Sequence, residues 1–262
     1  MANYRIPGIT KSIDRLWTVD NGTLARYPTA IPGLICAESL QYPSKSYSET
    51  ISPIKQTNAL KLGFLFNQCL APQTGLEEND YKQAANKLNV EIAAIKAVAE
   101  VESAGSAFDK HGRPRILYER HYFSRLTAGK YNTSHPNISN KSSGGYGKFS
   151  EQYTKLESAF KLDPDAALRS ASWGRFQIMG NNFKAAGFAA VGDFVLKLTK
   201  SESEHLKSFS TFVENDKKML SALQNKDWPA FAKAYNGPGY KKNSYDTKLK
   251  SAFERFSSST SE

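Results

Sequence analysis

From Glu77 onward, apolar residues recur along the chain at helical spacing, and the pattern predicts a mainly α protein. Segments 77–89, 91–103, 118–126, 151–160, 163–172, 191–199, 201–224, 227–236 and 245–256 all accept a 3.6-residue period. Start signals reinforce two of them. Asp163 before Pro164 fits an N-cap with proline at the first helical position, and Ser201 with Glu204 fits a capping box. Leu206, Phe209, Val213, Leu220 and Leu223 then form one apolar stripe, read as a core face. From Gly129 to Ser150 the chain is rich in Gly, Ser and Asn and ends in SSGGYGKFS, which predicts an exposed, mobile loop. Residues 1–75 read differently: Pro, Ser, Thr and Tyr abound, and periodicity is weak until 58–70, which fits a helix or a buried strand. Two domains are expected, a small N-terminal module at 1–75 and a helical domain at 76–262.

Composition narrows the classes. With 262 residues and 40% hydrophobic content, the chain can bury a substantial core. The net charge of +10 points to an anionic partner such as nucleic acid, a membrane surface or an acidic wall polymer. Seven basic and four acidic residues precede Gly75, leaving 28 and 21 after it, so the excess is diffuse and forms no basic arm. That distribution argues against nucleic acid. Cys36 and Cys69 sit among apolar neighbours without CxxC spacing; buried free thiols are expected first and a disulfide second. His111, His121, His135 and His205 fall in no HExxH or similar pattern, so neither a metal nor another cofactor is expected. The N-terminus lacks the apolar run of a secretory signal, and no stretch is long and apolar enough to span a bilayer. The expectation is a monomer made in the cytoplasm, without stable membrane insertion.

The most informative position is an acid on the wrong face of a helix. Winding 90–103 at about 100° per residue puts Glu102 between Ile95 and Val98, in the middle of the apolar face, with Lys96 and Glu100 on the opposite side. A carboxyl buried among apolar groups holds its proton to higher pH, which suits a general acid; a paired structural Glu is the alternative.

Motifs then carry a resemblance. Glu102-Ser103, Gly174-Arg175-Phe176-Gln177 and Ala234-Tyr235-Asn236 before GPGY resemble, in order, the three motifs of soluble lytic transglycosylases and goose-type lysozymes. More closely, AEVESAG, RILYERHYF, GGYG, SASWGRFQIMG and AYNGPGYKKNSYDTKL resemble the N-acetylmuramidase domain of phage endolysins, over about Glu77 to Phe256. The resemblance implies a lysozyme-like helical fold with a glycan groove, bacterial peptidoglycan as substrate, and Glu102 as proton donor. It also implies Gln177 as a hydrogen-bonding neighbour of the sugar, Tyr235 and Asn236 beside the carboxylate, and Ser103, Tyr118 and Trp173 as further substrate-binding residues. Gln177 serving its own backbone, and Trp173, Trp228 and Tyr235 as core aromatics, are the structural alternatives.

Lytic transglycosylases usually carry Gly-Leu-Met-Gln where this chain has Arg175 and Phe176, which favours hydrolysis. Hydrolysis calls for a second carboxylate to handle water. Glu119 is the candidate, delivered by a short buried strand at 116–118, and Asp109 is the runner-up. An ion pair of Glu119 with Arg115, Arg120 or Arg125 is the structural alternative. The expected setting is a phage endolysin made in the host cytoplasm and released to the wall by another factor, with anionic wall or outer-membrane surface as a further partner. A lytic transglycosylase, a secreted antibacterial muramidase and a non-catalytic wall-binding protein are the alternatives.

Overall fold

The structure, a computed structural model, describes residues 62–102 and 106–259, together with the backbone of two short strands near the N-terminus. The chain divides into two compact units, residues 1–35 and 36–262. In the first, β1 (Thr18–Asp20) and β2 (Thr23–Ala25) pair antiparallel, with Val19 opposite Leu24.

The second unit is built around a helix of small side chains. α1 (Phe64–Asn67) leads to α2 (Glu78–Leu88), whose first turn is closed by a reciprocal cap in which the Asp80 carboxylate accepts the Glu77 N–H at 3.0 Å. α3 (Ile92–Val101) follows and buries Ala93, Ala94, Ala97 and Ala99 along with Ile95 and Val98. Alanines on several faces let neighbours approach closely, and α3 packs against both α2 and the C-terminal helix α11 (Tyr245–Ser258). A three-stranded antiparallel sheet lies beyond, in the order β3 (Ile116–Tyr118), β4 (Ala171–Trp173), β5 (Ile178–Met179). Leu117 stands opposite Ser172, and Trp173 opposite both Ile116 and Ile178. α4 (Arg120–Leu126), α5 (Gln152–Leu162) and α6 (Pro164–Arg169) are connected between β3 and β4. α7 (Val191–Leu198), α8 (Glu202–Glu214), α9 (Lys217–Gln224) and α10 (Trp228–Asn236) follow β5 and lead to α11. The architecture is mainly α and lysozyme-like. Among the described residues, no helix is long and apolar enough to cross a membrane.

Local signals place several boundaries. The Asp163 side chain accepts the Ala166 N–H as expected; Ser201 Oγ accepts the Glu204 N–H at 3.2 Å, which forms the serine half of the expected box, while the Glu204 carboxylate pairs with Lys197 and Lys207. Three expectations change. The helical reading of 118–126 loses Tyr118 to β3 and starts after the N-cap Glu119, and that of 163–172 stops at Arg169, because pairing between Tyr118 and Ala171 claims both ends for the sheet. The stretch 201–224 is two helices: Asp216 accepts the N–H groups of Lys218 and Met219 and starts α9 afresh. The Gly/Ser loop is largely exposed yet anchored, since Tyr118 Oη donates to the Ile138 carbonyl at 3.0 Å and Gln152 Nε2 to the Tyr146 carbonyl at 2.7 Å.

The composition shift at 75 does not coincide with a packing boundary. Leu62, Leu65 and Phe66 are buried in the helical core, Phe66 edge-on to Phe160 with ring centroids 5.3 Å apart. Cys69, first expected as a free thiol, is disulfide-bonded. Cys36 lies outside the described residues.

Candidate active site

α3 ends at Val101, and Glu102 caps it with helical backbone angles and an N–H that still donates to the Val98 carbonyl at 2.9 Å. Its carboxyl therefore emerges from the buried end of the helix into an open groove of about 380 Å³. Burial pushes its pKa from 4.5 up to about 7; the Asn236 amide, donating from Nδ2 to Oε1 at 3.1 Å, pulls the other way but less strongly. Asn236 is the last residue of α10, and Gly237 follows at φ +77°, a backbone angle that glycine adopts without strain. Tyr235 lines the groove beside Glu102, its hydroxyl donating to the Phe176 carbonyl. Tyr245 lines it from the first turn of α11. Burial raises the pKa of both phenols, and the Glu102 charge raises them further, so the three groups share one electrostatic neighbourhood.

The turn from β4 to β5 forms the facing wall. Gly174 sits at φ +70° and Gln177 at φ +48°, and a Cβ on Gly174 would come within 2.8 Å of the His205 ring. His205 is 1% exposed; Nδ1 accepts the Arg175 N–H at 3.0 Å while Nε2 donates to the Leu198 carbonyl at 2.6 Å. This pairing requires the neutral ring with its proton on Nε2, and burial pushes the pKa down to about 4. The Arg175 guanidinium forms an ion pair with Glu202 and reaches to 3.5 Å from the Ala99 carbonyl, near the C-terminal end of α3. Glu202 in turn accepts the Gly75 N–H at 3.1 Å. The turn is thereby braced against the helix that carries Glu102. The Gln177 amide serves local structure, accepting from Ser172 Oγ at 2.8 Å and donating to the Gly174 carbonyl at 2.8 Å, while its side also lines the groove.

The expected residues therefore separate. Glu102, Gln177, Tyr235 and Asn236 come together around one groove. Tyr118 and Trp173 do not: at 2% and 1% exposure they face the core, with Tyr118 bonded to the Ile138 carbonyl and Trp173 Nε1 donating to the Leu168 carbonyl at 2.9 Å. Their strands show why, because β3 alternates and turns Leu117 to the groove, while β4 is buried on both faces. Ser103 lies outside the described residues.

Among the described residues, Glu119 pairs with no arginine. Its Oε1 accepts the Tyr146 hydroxyl at 3.1 Å, and Oε2 stands 3.1 Å from His121 Nδ1 without hydrogen-bond alignment. Glu119 is absent from the groove lining, yet its backbone stays extended (φ −108°, ψ 90°), which puts its side chain on the same face of the β3 line as Leu117. Asp109 is held in an ion pair with Arg113 at 2.7 Å and accepts two backbone N–H groups, the pattern of a structural turn. Phe149, Phe212 and Tyr245 line the groove without having been singled out from the sequence, and Arg115, considered only as a partner of Glu119, lines it too. For Tyr245 and Phe149 a signal existed: each is an aromatic next to Gly-rich or turn sequence within a resemblance motif or beside one.

The family model for Muramidase, described as N-acetylmuramidase, matches residues 91–257, a span that contains the whole groove lining. Among solved structures, the crystal structure of Burkholderia AP3 phage endolysin is similar at 45% identity and a TM-score of 0.68, over 71% of this chain and 72% of that chain. No curated protein sequence matches.

Proposed function

The chain belongs to the N-acetylmuramidase family and is a peptidoglycan hydrolase of the muramidase type; from that premise we propose that it hydrolyses the β-1,4 bond between N-acetylmuramic acid and N-acetylglucosamine, with Glu102 as general acid. The observation that carries this reading is the Glu102 carboxyl at the buried end of α3, opening into the groove with a pKa of about 7. Near neutrality it holds a proton in much of the population, and glycosidic cleavage requires that proton on the leaving oxygen as the bond breaks and positive charge develops on the sugar ring that stays behind. The Asn236 amide orients the carboxyl and stabilises the carboxylate left after transfer. Gln177, Tyr235 and Tyr245 supply further polar edges to the groove.

Among the described residues that line the groove, Glu102 is the only carboxylate, which by itself favours the alternative outcome, attack by the sugar's own hydroxyl to give 1,6-anhydro ends. Against this, Glu119 shares the Leu117 face of β3, and we assign it the second role, handling the attacking water after its bond to Tyr146 is exchanged. The setting we infer is phage lysis: synthesis in the host cytoplasm, release by another factor, and action on the wall. The similarity to a phage endolysin supports this setting.

The deciding experiment is mass spectrometry of soluble products from purified peptidoglycan, comparing wild type with Glu102→Gln and Glu119→Gln. Reducing N-acetylmuramic acid ends are expected from wild type, with loss of about 10³-fold or more in rate for Glu102→Gln. Anhydro ends from wild type would replace hydrolysis by transglycosylation, and a Glu102→Gln variant as active as wild type would remove the acid assignment.

A further inference from the structure

Phe149 is an anomaly of placement. Among the described residues, the large hydrophobic side chains left exposed are Phe149 at 49% and Tyr146 at 37%, both in the SSGGYGKFS segment. Scattered exposed apolar residues need no explanation, but Phe149 also lines the groove into which Glu102 opens. Its backbone starts the short 3-10 turn Phe149–Glu151 that runs into α5, so the ring is carried on a regular element. The Arg115 guanidinium lies over the ring, 4.6 Å from its centroid, and holds one face. Arg115 is itself tied to the motif turn, its carbonyl accepting the Gly174 N–H at 2.7 Å and Gln177 Nε2 at 3.3 Å. An aromatic ring is thus fixed, half in water, on the wall of the catalytic groove.

We infer that Phe149 is a sugar-stacking residue: it presents its ring to the apolar C–H face of an N-acetylated hexosamine in the glycan strand. A pyranose offers polar hydroxyls at its edge and an apolar face, and an exposed ring that cannot hydrogen-bond recognises the face alone. The inference rests on the glycan-cleaving reading of the groove and adds an affinity determinant to it. The contact is the same in ground and transition states, so it acts on binding and leaves the chemical step alone.

The test measures binding apart from cleavage. In full-length Glu102→Gln protein, calorimetry with a soluble, peptide-free N-acetylglucosamine–N-acetylmuramic acid oligosaccharide is expected to show about ten-fold weaker binding for Phe149→Ala and for Phe149→Leu, with Phe149→Trp restoring it. Leucine separates ring stacking from apolar bulk, and any variant is read only with its melting temperature unchanged. In the Glu102-intact protein, Phe149→Ala should raise KM about ten-fold, with kcat and its pH profile retained. Binding by Phe149→Ala or Phe149→Leu equal to that of the parent, or a loss confined to kcat, would overturn the inference. Residual cleavage by Glu102→Gln would instead count against the acid assignment, and the binding comparison would still decide the stacking role.

Discussion

At the scale of single residues, Glu102 sets both a rate and a stability that depend on pH. A general acid with a pKa of about 7 works in its protonated form, so kcat/KM should fall as pH rises through about 7. Asn236 donates to the carboxylate and holds this pKa down; Asn236→Ala should therefore shift the falling limb to higher pH, a change visible in pH–rate profiles on soluble fragments. A profile flat to pH 9 would count against Glu102. Stability moves in a direction fixed by the same shift. Between about pH 4.5 and 7 the unfolded chain has released the Glu102 proton while the folded chain keeps it, so stability from this group is complete below pH 4.5 and is lost as pH rises to about 7. The loss is on the order of 3 kcal/mol at about 1.4 kcal/mol per unit. Glu102→Gln carries no such penalty and should melt at a higher temperature than wild type at pH 8, with the gap closing toward pH 4; an equal gap at both pH values would contradict the burial argument.

At the scale of elements, the corner between α8 and α9 turns on one side chain. Asp216 Oδ1 accepts the Lys218 and Met219 N–H groups at 3.0 Å each, satisfying donors that a continuous helix would have bonded to earlier carbonyls. Asp216→Ala should cost about 1 kcal/mol, read as a lower denaturant midpoint with an unchanged m-value. Activity at saturating substrate should be retained, because α9 contributes no residue to the groove lining. The turn from Gly174 to Gln177 is the opposite case, a short segment whose geometry is set by distant groups: His205 in α8 beneath it, Glu202 beside it and Arg115 across it. Its shape is a tertiary property that reaches the active site through the Arg175 bridge to Ala99.

For the molecule as a whole, residues 62–75 belong with the groove-bearing unit. Leu62, Leu65 and Phe66 fill the core, and Glu202 accepts the Gly75 N–H, so this segment braces the Arg175 turn as well. Truncating residues 1–75 removes, among the described residues, the buried side chains of Leu62, Leu65 and Phe66, each contributing about 1.5–3 kcal/mol. That is a large share of the stability of an ordinary domain. Truncating only 1–35 removes none of them. Thermal unfolding of the two truncations should differ by several kcal/mol; equal melting would mean that this part of the core is dispensable.

The sequence alone determined what depends on near neighbours in the chain. Helical periodicity located most helices, Asp163 and Ser201 marked their starts, and Glu102 stood out because an acid on an apolar face is visible from ten residues of context. The ordered motifs alone pointed Gln177, Tyr235 and Asn236 to one groove, which all three line. Tertiary structure decided what depends on partners far along the chain. Strand register sent Tyr118 and Trp173 inward, although their motifs read as substrate-binding. Glu119 met Tyr146, 27 positions along the chain, although Arg115, Arg120 and Arg125 lie far nearer in sequence. Phe149 and Tyr245 reached the groove from segments about 47 and 143 positions away from Glu102. A local pattern states which face of a segment is apolar. Which element covers that face, and which side chains are left at the edge of the cover to meet a substrate, follows only when the whole chain has packed.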